Sequence, residues 1–98
     1  MSDFANRVWK ATKKIPVGKL ATYGQLAVTI GCPGAARAVG NALHQNPYAP
    51  IVPCHRVVKS TGEVGGFADG PKKKIALLKS EGIEIVSGRV VNLEKFLV

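Results

Sequence analysis

Thr22-Tyr23-Gly24-Gln25-Leu26-Ala27-Val28-Thr29-Ile30-Gly31-Cys32-Pro33-Gly34-Ala35-Ala36-Arg37-Ala38-Val39-Gly40-Asn41-Ala42-Leu43-His44-Gln45 holds the architecture of this chain. Thr22 and Gln25 have capping-box spacing, so the Thr hydroxyl and the Gln side chain satisfy orphan amides where a helix begins. Gly31 and Pro33-Gly34 stop that helix after about two turns. A second helix follows from about Ala35 to Gln45, closed by Asn46-Pro47 because the residue before a proline avoids the α region. Helix, tight glycine-containing turn and helix make a helix-turn-helix pattern.

At about 100° per residue, Ala36, Val39, Gly40 and Leu43 fall on one side of the second helix and are expected to pack inward. Arg37, Ala38, Asn41 and Gln45 then face outward. Small residues around one long cation differ from the side-chain-rich helix that reads a major groove. This face suits close approach to a minor groove, with Arg37 reaching into the duplex. It fits equally a solvated arginine on a tightly packed helix.

Working outward, Ser2 or Asp3 is placed to N-cap a first helix carrying Phe4, Val8, Ala11 and Ile15 on one face, ended by Pro16 and Gly18. Downstream, Ile51-Val52 and Arg56-Val57-Val58-Lys59 read as strands. Ser60-Thr61-Gly62 turns the second of these into Glu63-Val64-Gly65 as a hairpin, which after two helices has the place of a wing. Residues 65–70 read as a loop, and a helix from Pro71 carries Ile75, Leu78 and Glu81 before Gly82. Ile83 to Val86 and Val90 to Leu93, joined through Ser87-Gly88, form a last hairpin. The expected fold is α+β, mostly helical: a winged helix-turn-helix with small β-hairpins, occupying residues 1–98 as one domain.

Composition limits the compartment and the partner. A chain of 98 residues suits one small domain, which buries about 60–70% of its unfolded surface. A hydrophobic content of 46% argues for a packed core, and two cysteines are too few for a disulfide framework. Both thiols are expected reduced, in cytoplasm, or at the nucleoid if the source is prokaryotic. The apolar runs are short and the N-terminus lacks signal-peptide regions, so no membrane partner is expected. Fourteen Lys and Arg against six Asp and Glu give a net charge of +8 and a pI near 9.9. Polyanions are the natural partners of such a chain, although a merely solvated basic surface has the same composition. The cations gather at Lys10, Lys13, Lys14 and Lys19 and again at Lys72, Lys73 and Lys74, with Arg37 between. Cys32, Cys54, His44 and His55 make no recognisable ligand pattern, so no metal and no cofactor are expected.

Pro53-Cys54-His55-Arg56-Val57-Val58 carries the candidate chemistry. An ordinary thiol with a pKa of about 8.5 is only about 3% ionised at pH 7, so a nucleophilic Cys54 needs help with its proton. On a strand, neighbouring side chains point to opposite faces, which makes direct Cys54–His55 contact awkward and a water-mediated relay a better fit. Pro53 favours a strand-entry or edge position where Cys54 opens into a cleft. A small buried cysteine with no chemistry is the plain alternative.

Taken in order, Thr22-Tyr23-Gly24-Gln25-Leu26-Ala27, Ala36-Arg37-Ala38-Val39-Gly40, Asn46-Pro47, Ile51-Val52-Pro53-Cys54-His55-Arg56-Val57-Val58 and Ser80-Glu81-Gly82 resemble the C-terminal, active domain of the O6-alkylguanine-DNA alkyltransferases, or methylated-DNA-protein-cysteine methyltransferases. Nearly the whole chain is covered. The resemblance implies an enzyme that moves an alkyl group irreversibly from O6-alkylguanine in double-stranded DNA onto its own cysteine, once per molecule. Cys54 would be the nucleophile, His55 its base through a water, Glu81 the group orienting His55, and Asn46 the brace of the turn holding the cysteine segment. Because the target atom lies inside the stack, the nucleotide must be flipped out. Arg37 would fill the gap, with Ala38 and Asn41 on the same DNA-facing helix. Tyr23 would crowd the neighbouring phosphate, and its hydroxyl would reach the guanine ring. Carbonyls of Cys54 and Val57 would accept from the guanine amine, and the Ala68 amide would stabilise the leaving oxygen.

The chain departs from the pattern in two places. It starts directly at the active domain, with no N-terminal domain, and Phe67-Ala68-Asp69 stands where well-known members have Tyr-Ser-Gly. The expected form is a monomer, with downstream repair proteins as further partners. Alkyltransferase-like proteins, which bind such lesions and signal without repairing them, are similarly short but typically carry Trp in place of Cys54. A plain winged-helix regulator leaves the Cys-His-Glu set unexplained, and a small cysteine hydrolase leaves the helix-turn-helix unexplained.

Overall fold

The computed structural model describes residues 3–45, 52–65 and 70–98. Helix α1 (Asp3–Lys13) is followed by strand β1 (Ala21–Thr22), helix α2 (Tyr23–Thr29) and helix α3 (Ala36–His44). A single 3₁₀ turn at Cys54–Arg56 leads into strand β2 (Val57–Val58), and then come helix α4 (Pro71–Ser80), strands β3 (Ile85–Val86) and β4 (Arg89–Val90), and the short helix α5 (Leu93–Phe96). The chain is α+β and mostly helical. Ser2, Asn46-Pro47, Ile51 and Phe67-Ala68-Asp69, which figured in the sequence reading, lie outside the described residues.

Helices α2 and α3 form the expected helix-turn-helix. The Thr22 hydroxyl accepts from the Gln25 amide at 3.0 Å and the Gln25 carboxamide accepts from the Thr22 amide at 2.9 Å, so both halves of the capping box are made. Gly31 and Gly34 both take positive φ in the turn, the left-handed conformation that glycine adopts without steric cost. On α3, Val39, Ala42 and Leu43 are buried, Ala36 and Gly40 half-buried, and Arg37, Ala38, Asn41 and Gln45 exposed. The outward face is therefore the one expected, while the inward face centres closer to Ala42.

Two corrections concern α1 and the central strands. Helix α1 buries Ala5, Val8, Trp9 and Thr12, whereas Phe4 and Ala11 only flank the core and Ile15 is buried beyond the helix end. The face turns toward Trp9 because its indole Nε1 donates to the Ala42 carbonyl at 2.8 Å, tying α1 to α3. Downstream, Cys54–Arg56 is a 3₁₀ turn and not strand, so the alternation argument for Cys54 and His55 gives way to the geometry of that turn. Only Val57–Val58 extends, pairing in parallel with Ala21–Thr22.

The wing also differs from a simple hairpin. Lys59 N–H donates to the Glu63 carbonyl at 2.9 Å and closes the turn, but Glu63 then bridges to Arg89 and Val64 N–H donates to Gly88. The outgoing arm is thus captured by the β3–β4 hairpin, whose Ser87-Gly88 turn has the positive φ values its sequence predicts. Leu93, expected at the end of the last strand, instead opens α5, which carries Leu97 to a parallel bridge with Leu20.

One apolar cluster lies among α1, α2 and α3 and includes Val57. A second joins Leu20, Val58, Leu78, Ile83, Ile85 and Val90. Strand β2 belongs to both, with Val57 facing one and Val58 the other, each fully buried. Burying such a side chain contributes about 1.5–3 kcal/mol. The β1–β2 register sets Thr22, the cap of α2, opposite Val58, so the helix-turn-helix is anchored directly beside the segment that follows Cys54.

Candidate active site

The site is assembled where the Cys54–Arg56 turn meets α2 and α4. Helix α4 starts at Pro71, a favoured first helical residue, and ends with Glu81 as its C-cap. That end abuts the turn: His55 Nε2 lies 2.9 Å from Glu81 Oε2. Arg56 grips the same carboxylate through Nε on Oε1 at 2.9 Å and Nη2 on Oε2 at 2.8 Å. Its Nη1 donates to the Ile15 carbonyl at 2.8 Å, so the pair is also fastened to the segment after α1. The Arg56 hydrogen bonds, opposed by desolvation and joined by the His55 hydrogen bond and charge, hold the Glu81 carboxyl below its usual range. Glu81 is therefore anionic at neutral pH, suited to fixing one imidazole nitrogen and leaving the other for proton transfer.

His55 is 4% exposed and Cys54 is partly buried with a free thiol. Among the described residues no side-chain hydrogen bond joins Cys54 to His55, as the relay reading requires. The carboxylate, imidazole and thiol thus stand on two adjoining elements, with only the thiol–imidazole gap left for a water.

Tyr23, at the first position of α2, is half-buried. A side chain added at Gly65, where φ is +80°, would place its Cβ 2.8 Å from the Tyr23 hydroxyl, so the loop backbone closes directly over the phenol. Burial, with the Cys54 charge as a smaller contribution, raises the Tyr23 pKa and keeps the hydroxyl protonated. The fully buried Val57 accepts at its carbonyl from Lys74 Nζ at 2.7 Å. Arg37, Ala38 and Asn41 lie exposed on α3, while Asn46 and Ala68 are outside the described residues.

Sequence reasoning missed two members. Lys74 was grouped with Lys72 and Lys73 as surface charge, yet it is fully buried while its two neighbours are exposed. The signal was present, since Lys74 shares the helical stripe of Ile75, Leu78 and Glu81. Arg56 was read only as a strand residue. Its contact with Glu81 depends on the 3₁₀ turn, and no local pattern announces that turn.

The matching family is the 6-O-methylguanine DNA methyltransferase, DNA binding domain, aligned over residues 3–83. This chain belongs to that family. Among its relatives, the methylated-DNA--protein-cysteine methyltransferase of Mycobacterium tuberculosis is 52% identical over 80 residues, covering 82% of this chain and 48% of the relative. The chain therefore spans about half the length of the curated relatives it matches. The crystal structure of M. tuberculosis OGT in complex with DNA superposes with a TM-score of 0.82 at 51% identity, covering 84% of this chain and 50% of that one. S. pombe Atl1, solved in complex with damaged DNA containing O6-carboxymethylguanine, gives 0.87 at 35% identity over 100% of this chain and 96% of its own. As a methyltransferase-family domain, the chain keeps its shared fold through β1–β2 and α4, the elements that bring Cys54, His55 and Glu81 together. Among the described residues no helix is long and apolar enough to cross a membrane, and no group of metal-binding side chains occurs.

Proposed function

We propose that residues 1–98 act as one alkyltransferase-type winged-helix domain that repairs O6-alkylguanine in double-stranded DNA by a single, irreversible transfer to Cys54. The observation that carries this reading is a cysteine set on the same turn as a buried histidine, whose ring is paired at 2.9 Å with an anionic Glu81. His55, acting through a water, takes the thiol proton. The Cys54 sulfur forms a bond to the alkyl carbon as the carbon–O6 bond breaks, its electron pair passes to the guanine, and the guanine accepts a proton in return. The product is a thioether and an unmodified base. Since no group regenerates the thiol, each molecule reacts once.

The target is reached by nucleotide flipping, at a cost of a few kcal/mol that a weakly paired damaged base lowers. Exposed Arg37 fills the vacated stack from α3, flanked by Ala38 and Asn41. Tyr23 crowds the adjacent phosphate and directs its hydroxyl at the guanine ring. Carbonyls of Cys54 and Val57 take the guanine amine; at Val57 this uses the lone pair that Lys74 leaves. Asn46 braces the cysteine segment and the Ala68 amide supports the leaving oxygen. The domain works as a monomer in the cytoplasm, at the nucleoid in a prokaryote.

One observation favours a second reading, lesion binding and signalling without transfer: Atl1 matches along almost its entire length. The cysteine at position 54 argues for transfer. Incubation with duplex containing O6-methylguanine, followed by intact mass, separates the two. One methyl on Cys54, at no more than one equivalent per protein, is expected; tight lesion binding with no mass change would establish the signalling reading instead.

A further inference from the structure

Lys74 is the largest fully buried side chain among the described residues, and the only buried lysine or arginine there. A buried ammonium costs several kcal/mol in desolvation, and a methionine would suit the stripe formed with Ile75 and Leu78. The fold nevertheless holds the charge in place. Its Nζ donates to the Val57 carbonyl at 2.7 Å and to the Tyr23 hydroxyl at 3.3 Å, and lies 5.7 Å from the centre of the Tyr23 ring.

The titratable groups around Lys74 come from three elements. The Cys54–Arg56 turn brings Cys54, helix α2 brings Tyr23, and α4 itself brings Glu81 two turns on, which His55 and Arg56 hold. Burial lowers the lysine pKa to about 8, and the charge of Cys54 works against that fall. Such coupling is reciprocal: whatever the sulfur's charge does for the ammonium, the ammonium does for the sulfur.

We propose that Lys74 is a positioning residue for alkyl transfer, an ammonium fixed against β2 and Tyr23 that favours the thiolate of Cys54 independently of the His55–Glu81 pair. Two groups then share the work of preparing the thiol: His55 removes the proton, and Lys74 stabilises the charge left behind. Because the thioether product is neutral, the reaction also withdraws the sulfur's charge from Lys74. The inference rests on the reading of Cys54 as the alkyl acceptor.

Two measurements that need no DNA test it, both in a Cys32→Ser background so that only Cys54 reacts. Iodoacetamide modification of Cys54, followed across neutral to alkaline pH, reports the thiolate. Lys74→Met is expected to slow it about tenfold near neutrality, the effect of moving an opposite charge away by one pKa unit's worth, and to displace the profile to higher pH. A folded Lys74→Met protein with the parent's profile would overturn the proposal. Should that variant not fold, NMR titration of Lys74 in the parent decides, before and after capping Cys54 with methyl methanethiosulfonate. The lysine midpoint is expected to fall on capping, and an unchanged midpoint is the overturning result. Failure of the parent to take a methyl from O6-methylguanine duplex would sink the transfer reading while leaving both thiol measurements to decide the coupling.

Discussion

Arg56 holds Glu81 through two parallel hydrogen bonds, 2.9 Å from Nε to Oε1 and 2.8 Å from Nη2 to Oε2, and the second oxygen also meets His55. A guanidinium fork fixes both position and plane of a carboxylate, as a lysine does not. Arg56→Ala releases Glu81, and with it the orientation of His55, while also cutting the bond to Ile15. Hydrogen bonds to charged groups contribute about 1.5–3 kcal/mol, so a stability loss of that order is expected by urea unfolding. Single-turnover methyl transfer should slow, with Arg56→Lys intermediate. A rate equal to wild type would show that Glu81 orients His55 unaided.

The same carboxylate sets an acid limit. Its folded-state pKa is depressed, first by Arg56. Its stabilisation is therefore complete above the unfolded value of about 4.3 and is lost as pH falls through the lower folded value. Urea midpoints of wild type and Glu81→Gln should differ by a constant amount from neutrality down to about pH 5.5 and converge below about pH 4. A gap independent of pH would mean that the carboxylate's charge adds nothing to its hydrogen bonds.

Much of this was legible in the sequence because the signals were local. Thr22 and Gln25 sit three apart, Pro33-Gly34 breaks the chain, and Arg37, Ala38 and Asn41 fall on one helical face; each is decided within a few residues. Glu81 was recovered by resemblance, and its helix-terminal place made it stand out. What escaped depends on distant contacts. The 3₁₀ turn at Cys54–Arg56 exists because β2 must pair in parallel with Ala21–Thr22, a partner more than thirty residues away. The wing strand was lost to Arg89 on a hairpin beyond α4. Lys74 was hidden by its neighbours, since a run of three lysines reads as surface until helical phase separates its members.

Gly65 and Gly82 allow a controlled comparison. Both take positive φ, +80° and +89°, so alanine is strained at either, at about 1–2 kcal/mol. Around Gly82 nothing lies within 4 Å of the added Cβ, whereas at Gly65 it lies 2.8 Å from the Tyr23 hydroxyl. Gly82→Ala should therefore lower stability and leave methyl transfer near wild type. Gly65→Ala should lower both, because the phenol must move. Equal transfer rates in the two variants would count against a role for Tyr23.

Lys74 gives stability the opposite pH dependence from Glu81. With its folded pKa lowered to about 8 from 10.5, the unfolded chain binds more protons between those values, so stability rises with pH across that window. Relative to Lys74→Met, wild type should gain up to about 3 kcal/mol between pH 8 and 10.5. Comparing against the variant cancels Tyr23, whose raised pKa works the other way above pH 10. Chemical denaturation at several alkaline pH values measures the difference, and parallel curves would mean that the lysine titrates as though exposed.

Arg37 separates flipping from chemistry. It is exposed on α3 and no described hydrogen bond or ion pair connects it to the Cys54–His55–Glu81 set, so its removal should leave the reactive centre intact. Arg37→Ala should react with free O6-benzylguanine within about twofold of wild type, because a free base needs no extrusion, yet lose about tenfold or more on an O6-methylguanine duplex, where the cost of unstacking is no longer offset. The defect should shrink when the lesion sits opposite a mismatch or in single-stranded DNA, since less stacking and pairing must then be broken. Salt provides an independent check. Duplex affinity of wild type should fall linearly on a logarithmic scale, and the slope should lessen by about one if Arg37 meets a phosphate but stay unchanged if it occupies the stack. Equal losses on the free base and the duplex would remove Arg37 from the flipping step and assign its effect to the reactive centre.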